Sequence, residues 1–210
     1  MNVTRDKRAT RWDAHRRTRR SELVDAAIQA IREHGARVGM DEVAARANTS
    51  KTVVYRHFAD RAALYVAVCE RVAEVLSTGI QAAIARADGP HARTAAGIEA
   101  YLELIEQDPE LYRFVVHRPL VDSTPGDPLA DVVTVLGDQA STAIAAELVR
   151  AGVDPAPAPT WGHSLVGLVR GAADHWLADP AGITRAELAA RVTEFAWAGL
   201  SRVVTQEETR

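Results

Sequence analysis

Cysteine is almost absent: Cys69 stands alone among 210 residues. One thiol excludes an internal disulfide framework, and no second cysteine or histidine lies beside it at metal-ligand spacing, which suits a reducing compartment. Its apolar neighbours Leu64, Val68 and Val72 mark it as a small core residue. No charge-free apolar run approaches the roughly 18 to 20 residues of a membrane span. The first twenty residues are basic and polar where a signal peptide would be apolar. A cytoplasmic protein without a membrane partner is the expectation. Zinc, phosphate-loop and nucleophile-elbow spacings are missing, and the seven histidines lie scattered from His15 to His175, so neither catalysis nor a resident cofactor is expected. Period-two alternation over strand length is missing as well, and the chain has no internal repeat.

What the chain does have is helical periodicity throughout. With 47% hydrophobic residues it can bury one sizeable core, or carry a small domain on a larger one. The pattern predicts an all-α protein of about nine helices. Residues 1–17 read as a disordered basic arm. Thr18 to His34 reads as the first helix, with Leu23, Ala27 and Ile31 on one face and Gly35 as its stop. Met40, Val43, Ala44 and Ala47 form a short stripe, Asn48, Thr49 and Ser50 a tight turn, and Lys51 to Phe58 a third helix that buries Val54 and Phe58. Asp60 can cap a long helix reaching about Ala87, which Asp88, Gly89 and Pro90 end. Further helices are predicted near 92–107, 109–117, 128–151, 160–178 and 185–204. Pro109 and Pro128 suit first-turn positions, Pro119 and Pro125 stop the chain, and Pro155, Pro157 and Pro159 stiffen a connector. Thr184 and Glu187 have capping-box spacing. The predicted division is an arm at 1–17, a three-helix head at 18–61 and a larger domain at 62–210.

Charge is divided the same way. Residues 1–61 hold 14 Lys and Arg against 8 Asp and Glu, and residues 62–210 hold 11 against 20, so a head of +6 sits on a body of −9. A basic head on an acidic body suggests that only the head meets a polyanion, with a solvated charged tail as the alternative, and the helical motif within the head makes that polyanion double-stranded DNA. Two short helices joined by a tight turn form a helix-turn-helix. With Val54 and Phe58 inside, helical geometry turns Lys51, Thr52, Tyr55 and Arg56 outward, with Val53 and His57 on the flanks. Ser50 can cap this helix, whose N-terminus suits a phosphate, and Lys51 and Tyr55 can donate to backbone oxygens. Thr52 and Val53 are small enough to meet a thymine methyl, and Arg56 can reach guanine or a phosphate. Arg16, Arg17 and Arg20 adjoin the first helix and are the arm's best candidates for DNA contact, through phosphates or a minor groove.

The run from Met40 to Phe58, with Tyr55-Arg56-His57-Phe58 and then Arg61 and Leu64, resembles the DNA-binding signature of the TetR family over about residues 20–65. The resemblance implies that Tyr55 and His57 contact phosphates, that Thr52 and Val53 approach bases and that Arg61 holds a phosphate. Gly39, Asn48 and Arg61 depart from the family's usual Thr, Gly and Lys. It also implies a homodimer built from the last two helices and a small-molecule effector in the body. Repression is the family's commoner role.

The stripes Leu165, Val169, Ala172, Trp176 and Leu188, Val192, Phe195, Gly199, Val203 are the predicted dimer faces, with internal core as the alternative. Tyr101, Leu104, Ile105, Tyr112, Phe114, Val115, Val132, Leu136, Trp161 and Leu165 are the candidate lining of an apolar ligand cavity. Arg170 and Asp174, four apart, are predicted to pair with each other. The segment Ile98 to Phe114 and the later Val166-Gly167-Leu168-Val169, His175-Trp176-Leu177 and Phe195-Ala196-Trp197-Ala198-Gly199-Leu200-Ser201 elements resemble the FasR-like actinobacterial subgroup of fatty-acid-metabolism regulators. That resemblance implies a long-chain acyl-CoA effector, with another lipid or a hydrophobic drug of an efflux operon as rivals. A non-specific DNA-binding scaffold is the alternative from a different class.

Overall fold

The computed structural model describes residues 3–35, 37–116 and 128–205, with side chains over 14–35, 37–116 and 132–199. Among the described residues there are nine α-helices and no strand. The predicted stops at Pro119 and Pro125 lie outside the described residues.

Helix α1 runs Val3–His34, beginning well before the predicted Thr18. Neither Gly nor Pro interrupts residues 3–34, and Arg, Ala and Lys, all strong helix formers, dominate the first half. The basic stretch expected as a disordered arm at 1–17 is thus helical from Val3, because basic composition marks charge and not disorder. Gly35 ends the helix with φ of 79°, the left-handed conformation that glycine adopts without strain. Helices α2 (Met40–Arg46) and α3 (Lys51–His57) follow, and then α4 (Arg61–Ala85), whose first turn is capped by Asp60 Oδ1 accepting from the Ala63 N–H at 2.7 Å.

Two compact units divide the chain. The first holds the described residues up to Arg71 and those of α6 (Pro109–Val116) from Glu110. Leu23, Ile31, Val43, Val54 and Phe58 are fully buried in it. Burying each such side chain contributes about 1.5–3 kcal/mol. The Tyr65 hydroxyl donates to the Val115 carbonyl at 2.8 Å, and its ring meets Phe114 at 5.4 Å, so α6 packs against the start of α4.

The second unit takes α4 from Val72, α5 (Pro90–Gln107), α7 (Pro128–Arg150), α8 (Ala158–Ala178) and α9 (Arg185–Thr205). Helices α7 and α8 lie closely together because Gly162 leaves room for Ser141. A Cβ at Gly162 would stand 2.7 Å from Ser141 Cα and nearer still to its nitrogen and Oγ. Helix α9 packs mainly along α5, where Arg185 donates to Glu99 at 2.8 Å and Glu106 at 2.7 Å. The predicted capping box forms, with the Thr184 N–H donating to Glu187 at 2.9 Å. By length and a mean hydropathy of 1.3, Val132–Arg150 in α7 would pass for a membrane span, although it is not free of charge. Asp138, Glu147 and Arg150 interrupt it, and Val132, Leu136 and Leu148 are buried within the protein.

Candidate DNA interface and effector cleft

The turn between α2 and α3 is fixed by local chemistry. Asn48 adopts φ of 48°, a left-handed conformation that its short polar side chain tolerates. Ser50 Oγ accepts from the Val53 N–H at 3.4 Å, and Glu42 accepts from the Gly39 N–H at 3.0 Å, so glycine serves at the cap where a threonine would be usual. These caps set the roll of α3. Val54 is buried, Lys51, Thr52, Tyr55 and Arg56 are exposed, and Val53 and His57 are half-buried. Arg61, the first residue of α4, is exposed as well.

Several of the cations have protein partners. Lys51 Nζ donates to Asp41 Oδ2 at 2.8 Å, and the Arg20 guanidinium lies 4.8 Å from the centre of the Phe58 ring. Arg20 therefore serves the packing of the head as well as its charge. His57 has its imidazole held below the ordinary value of 6.5, first by partial burial and then by the charges of Arg19, Arg56, Arg16 and Arg20. Arg16 and Arg17 are exposed on α1.

The second unit contains a cleft of about 1380 Å³ between the end of α4 and helices α5, α7, α8 and α9. Its walls are largely apolar, with Ile80 and Ile84 from α4, Ile144 and Leu148 from α7 and Val166 from α8. Of the residues predicted to line a cavity, Tyr101, Leu136, Trp161 and Leu165 do so. Ile105 and Val132 are buried outside its lining, and Leu104 packs where a side chain on Gly79 would be, 3.3 Å away. Tyr112, Phe114 and Val115 belong to the other unit. Missed were Trp197 and the i, i+4 pair Ile80 and Ile84, the latter visible as an apolar stripe late in α4.

Basic groups also line this cleft. Arg93 and Arg150 bind opposite oxygens of the Glu147 carboxylate, Arg93 at 2.7 Å. The two arginines hold Glu147 below the usual carboxylate range, Arg150 more than Arg93, against the opposing effect of burial. The trio carries one net positive charge. His91 stands nearby, bonded to Glu194 at 3.0 Å and edge-on to Trp197.

The predicted dimer faces are placed differently. Val169, Trp176 and Val192 are buried within the chain, and Trp176 donates to the Ile183 carbonyl at 2.8 Å, so these three serve the internal core. Periodicity marked them as apolar without saying what they pack against. Leu165, Ala172 and Leu188 are half-buried, Gly199 is exposed and Phe195 is 72% exposed. The side chain of Val203 lies outside the described residues. On α8, Gly167 and Gly171 are exposed with open space around them. Arg170 and Asp174 pair as predicted, at 3.7 Å.

Comparison with known proteins agrees with this geometry. Residues 23–68 match the family described as bacterial regulatory proteins, tetR family, and residues 75–210 match the tetracyclin repressor-like C-terminal domain. The chain belongs to the TetR family. It is a transcriptional regulator of a family that binds DNA operators, and such regulators are not enzymes. An HTH-type transcriptional regulator of Mycobacterium tuberculosis is 34% identical over 206 residues, covering 97% of this chain and 86% of that protein. The HTH-type transcriptional activator FasR of Mycolicibacterium smegmatis is 30% identical over 188 residues, covering 88% and 84%. Among solved structures, FadR of Bacillus subtilis in complex with stearoyl-CoA superposes with a TM-score of 0.70 at 14% identity, covering 85% of this chain and 98% of that one. At that identity the likeness concerns the TetR fold.

Proposed function

We propose that this TetR-family protein is a homodimeric regulator that binds a near-palindromic operator and responds to a long-chain acyl-CoA in the cleft of its second unit. The cleft carries the reading. Its volume of about 1380 Å³ exceeds the roughly 300–1,000 Å³ typical of drug-sized sites, and its apolar walls suit an aliphatic chain. Arg93 and Arg150 offer guanidinium forks to phosphate oxygens if Glu147 is displaced. The 30% identity to FasR and the stearoyl-CoA bound by the FadR fold relative support the same ligand class.

At the head, Lys51, Tyr55, His57 and Arg61, with Arg16, Arg17 and Arg20 from α1, supply phosphate contacts, and Thr52, Val53 and Arg56 read bases. The exposed faces of α8 and α9, which carry Ser164, Gly167 and Gly171 on the one and Phe195, Ala198 and Gly199 on the other, form the two-fold surface. Such a dimer sets its recognition helices about 34–36 Å apart on one face of DNA. Effector contacts to Ile80 and Ile84 act on α4, the same helix that begins at Arg61, and shift the population between dimers of different spacing.

Native mass spectrometry of protein purified from its own host tests the effector. A retained acyl-CoA, with operator affinity changed by added palmitoyl-CoA, is the expected result. A different retained hydrophobic molecule and indifference to acyl-CoA would replace this effector with a drug-type one. A scaffold role would show instead as equal affinity for promoter and random DNA, where a regulator prefers its site by about 10³ or more. Family resemblance favours repression and the likeness to the activator FasR favours activation. Deleting the operator from a promoter reporter raises expression in the first case and lowers it in the second.

A further inference from the structure

The acids of the head are engaged in distinct ways. Glu42 caps α2 through the Gly39 N–H at 3.0 Å, Glu33 pairs with Arg46 at 3.1 Å, Glu22 with Arg19 at 2.7 Å and Asp25 with Arg71 at 3.0 Å. Asp41 instead reaches onto the recognition helix and takes Lys51 Nζ at 2.8 Å, across ten residues of chain. Both side chains remain open to solvent, Lys51 at 49% and Asp41 at 70%.

An ion pair this exposed adds little to stability. A free lysine at the start of a recognition helix neutralises a phosphate of any sequence and releases a counterion, which raises affinity without raising selectivity. Here Asp41 cancels that charge and holds the ammonium on α2, and its carboxylate repels an approaching phosphate.

We propose that Asp41 is a specificity-determining residue, a counter-charge that withholds Lys51 from arbitrary DNA. The inference rests on α3 being the DNA-reading helix. On the operator, contacts made by Thr52, Val53 and Arg56 draw the head close enough to separate the pair. On random duplex those contacts are missing and the pair stays closed. Selectivity rises because sequence-independent affinity is lowered.

The test is titration of full-length protein against a random-sequence duplex over a range of KCl, read by fluorescence anisotropy. Asp41→Asn is expected to bind about tenfold more tightly at low salt, with the log–log salt slope steeper by about 0.9, one phosphate's worth. Asp41→Glu keeps the pair and should match the wild type. In a Lys51→Met background Asp41→Asn should give little gain and no change of slope. An unchanged slope in Asp41→Asn, or the same gain with Lys51→Met, overturns the proposal, the latter because any lost negative charge would then suffice. Failure of the head to bind DNA at all would appear in the wild type.

Discussion

Asn48 concentrates several of these physical demands in one side chain. Its φ of 48° costs an ordinary L-residue roughly 1–2 kcal/mol, which Asn lowers and Gly avoids. Asn48→Gly should leave the urea midpoint unchanged or slightly raised, and Asn48→Val should lower stability by about that amount. Nearby, His57 links the head to pH. Its folded pKa is held below 6.5, so the unfolded chain takes up the proton first as the pH falls. The contribution of His57 to stability is therefore full above about 6.5 and is lost as the pH falls from there through the folded value. The proposed DNA contact acts in the opposite direction, because a phosphate beside His57 would favour the imidazolium. Operator affinity should rise from pH 7.5 to 6, and His57→Asn should flatten that rise in anisotropy titrations. A wild-type profile without slope would remove His57 from the phosphate contacts.

Among the elements, helix ends were legible and helix faces only partly. Gly35, Ser50, Asp60 and the Thr184–Glu187 box act within a few residues of themselves, so their chemistry could be read from spacing alone. What a face meets depends on helices distant in sequence. Trp176 and Val169 lie on an apolar stripe that fits a dimer seam and a core equally well, and only the packing of the second unit assigns them to the core. Arg93 and Arg150 were invisible as a pair because 57 positions separate them and Glu147 brings them together. The glycines of α8 make the same point as a prediction. A methyl at Gly162 collides with the backbone of Ser141, so Gly162→Ala should destabilise the protein by several kcal/mol or unfold it. Gly171 has open space around it, and Gly171→Ala should raise helix stability by up to about 1 kcal/mol in the monomer. If α8 and α9 form the two-fold surface, the same substitution weakens self-association in sedimentation. Unchanged association would move the interface elsewhere.

At the scale of the whole molecule, the separation of charge is the feature that links sequence to action. The head's +6 attracts DNA and the body's −9 is repelled by it, which favours encounters through the head before any specific contact forms. Much of the positive charge lies early in α1, where Arg5, Lys7, Arg8, Arg11 and Arg16 precede Thr18. Since the helix begins at Val3, this stretch extends roughly 22 Å at 1.5 Å per residue, stiffer than an arm would be. A stiff basic rod meets a fixed set of phosphates, whereas a loose tail meets a changing one. Deleting residues 1–16 should therefore lower the log–log salt slope of operator binding by about 0.9 for each phosphate lost. It should leave the preference among operator variants intact, because the side chains proposed to read bases are all on α3. A truncated protein with the full-length slope would mean that this stretch never touches DNA. A truncated protein with altered sequence preference would mean that it reads the minor groove instead of only following the backbone.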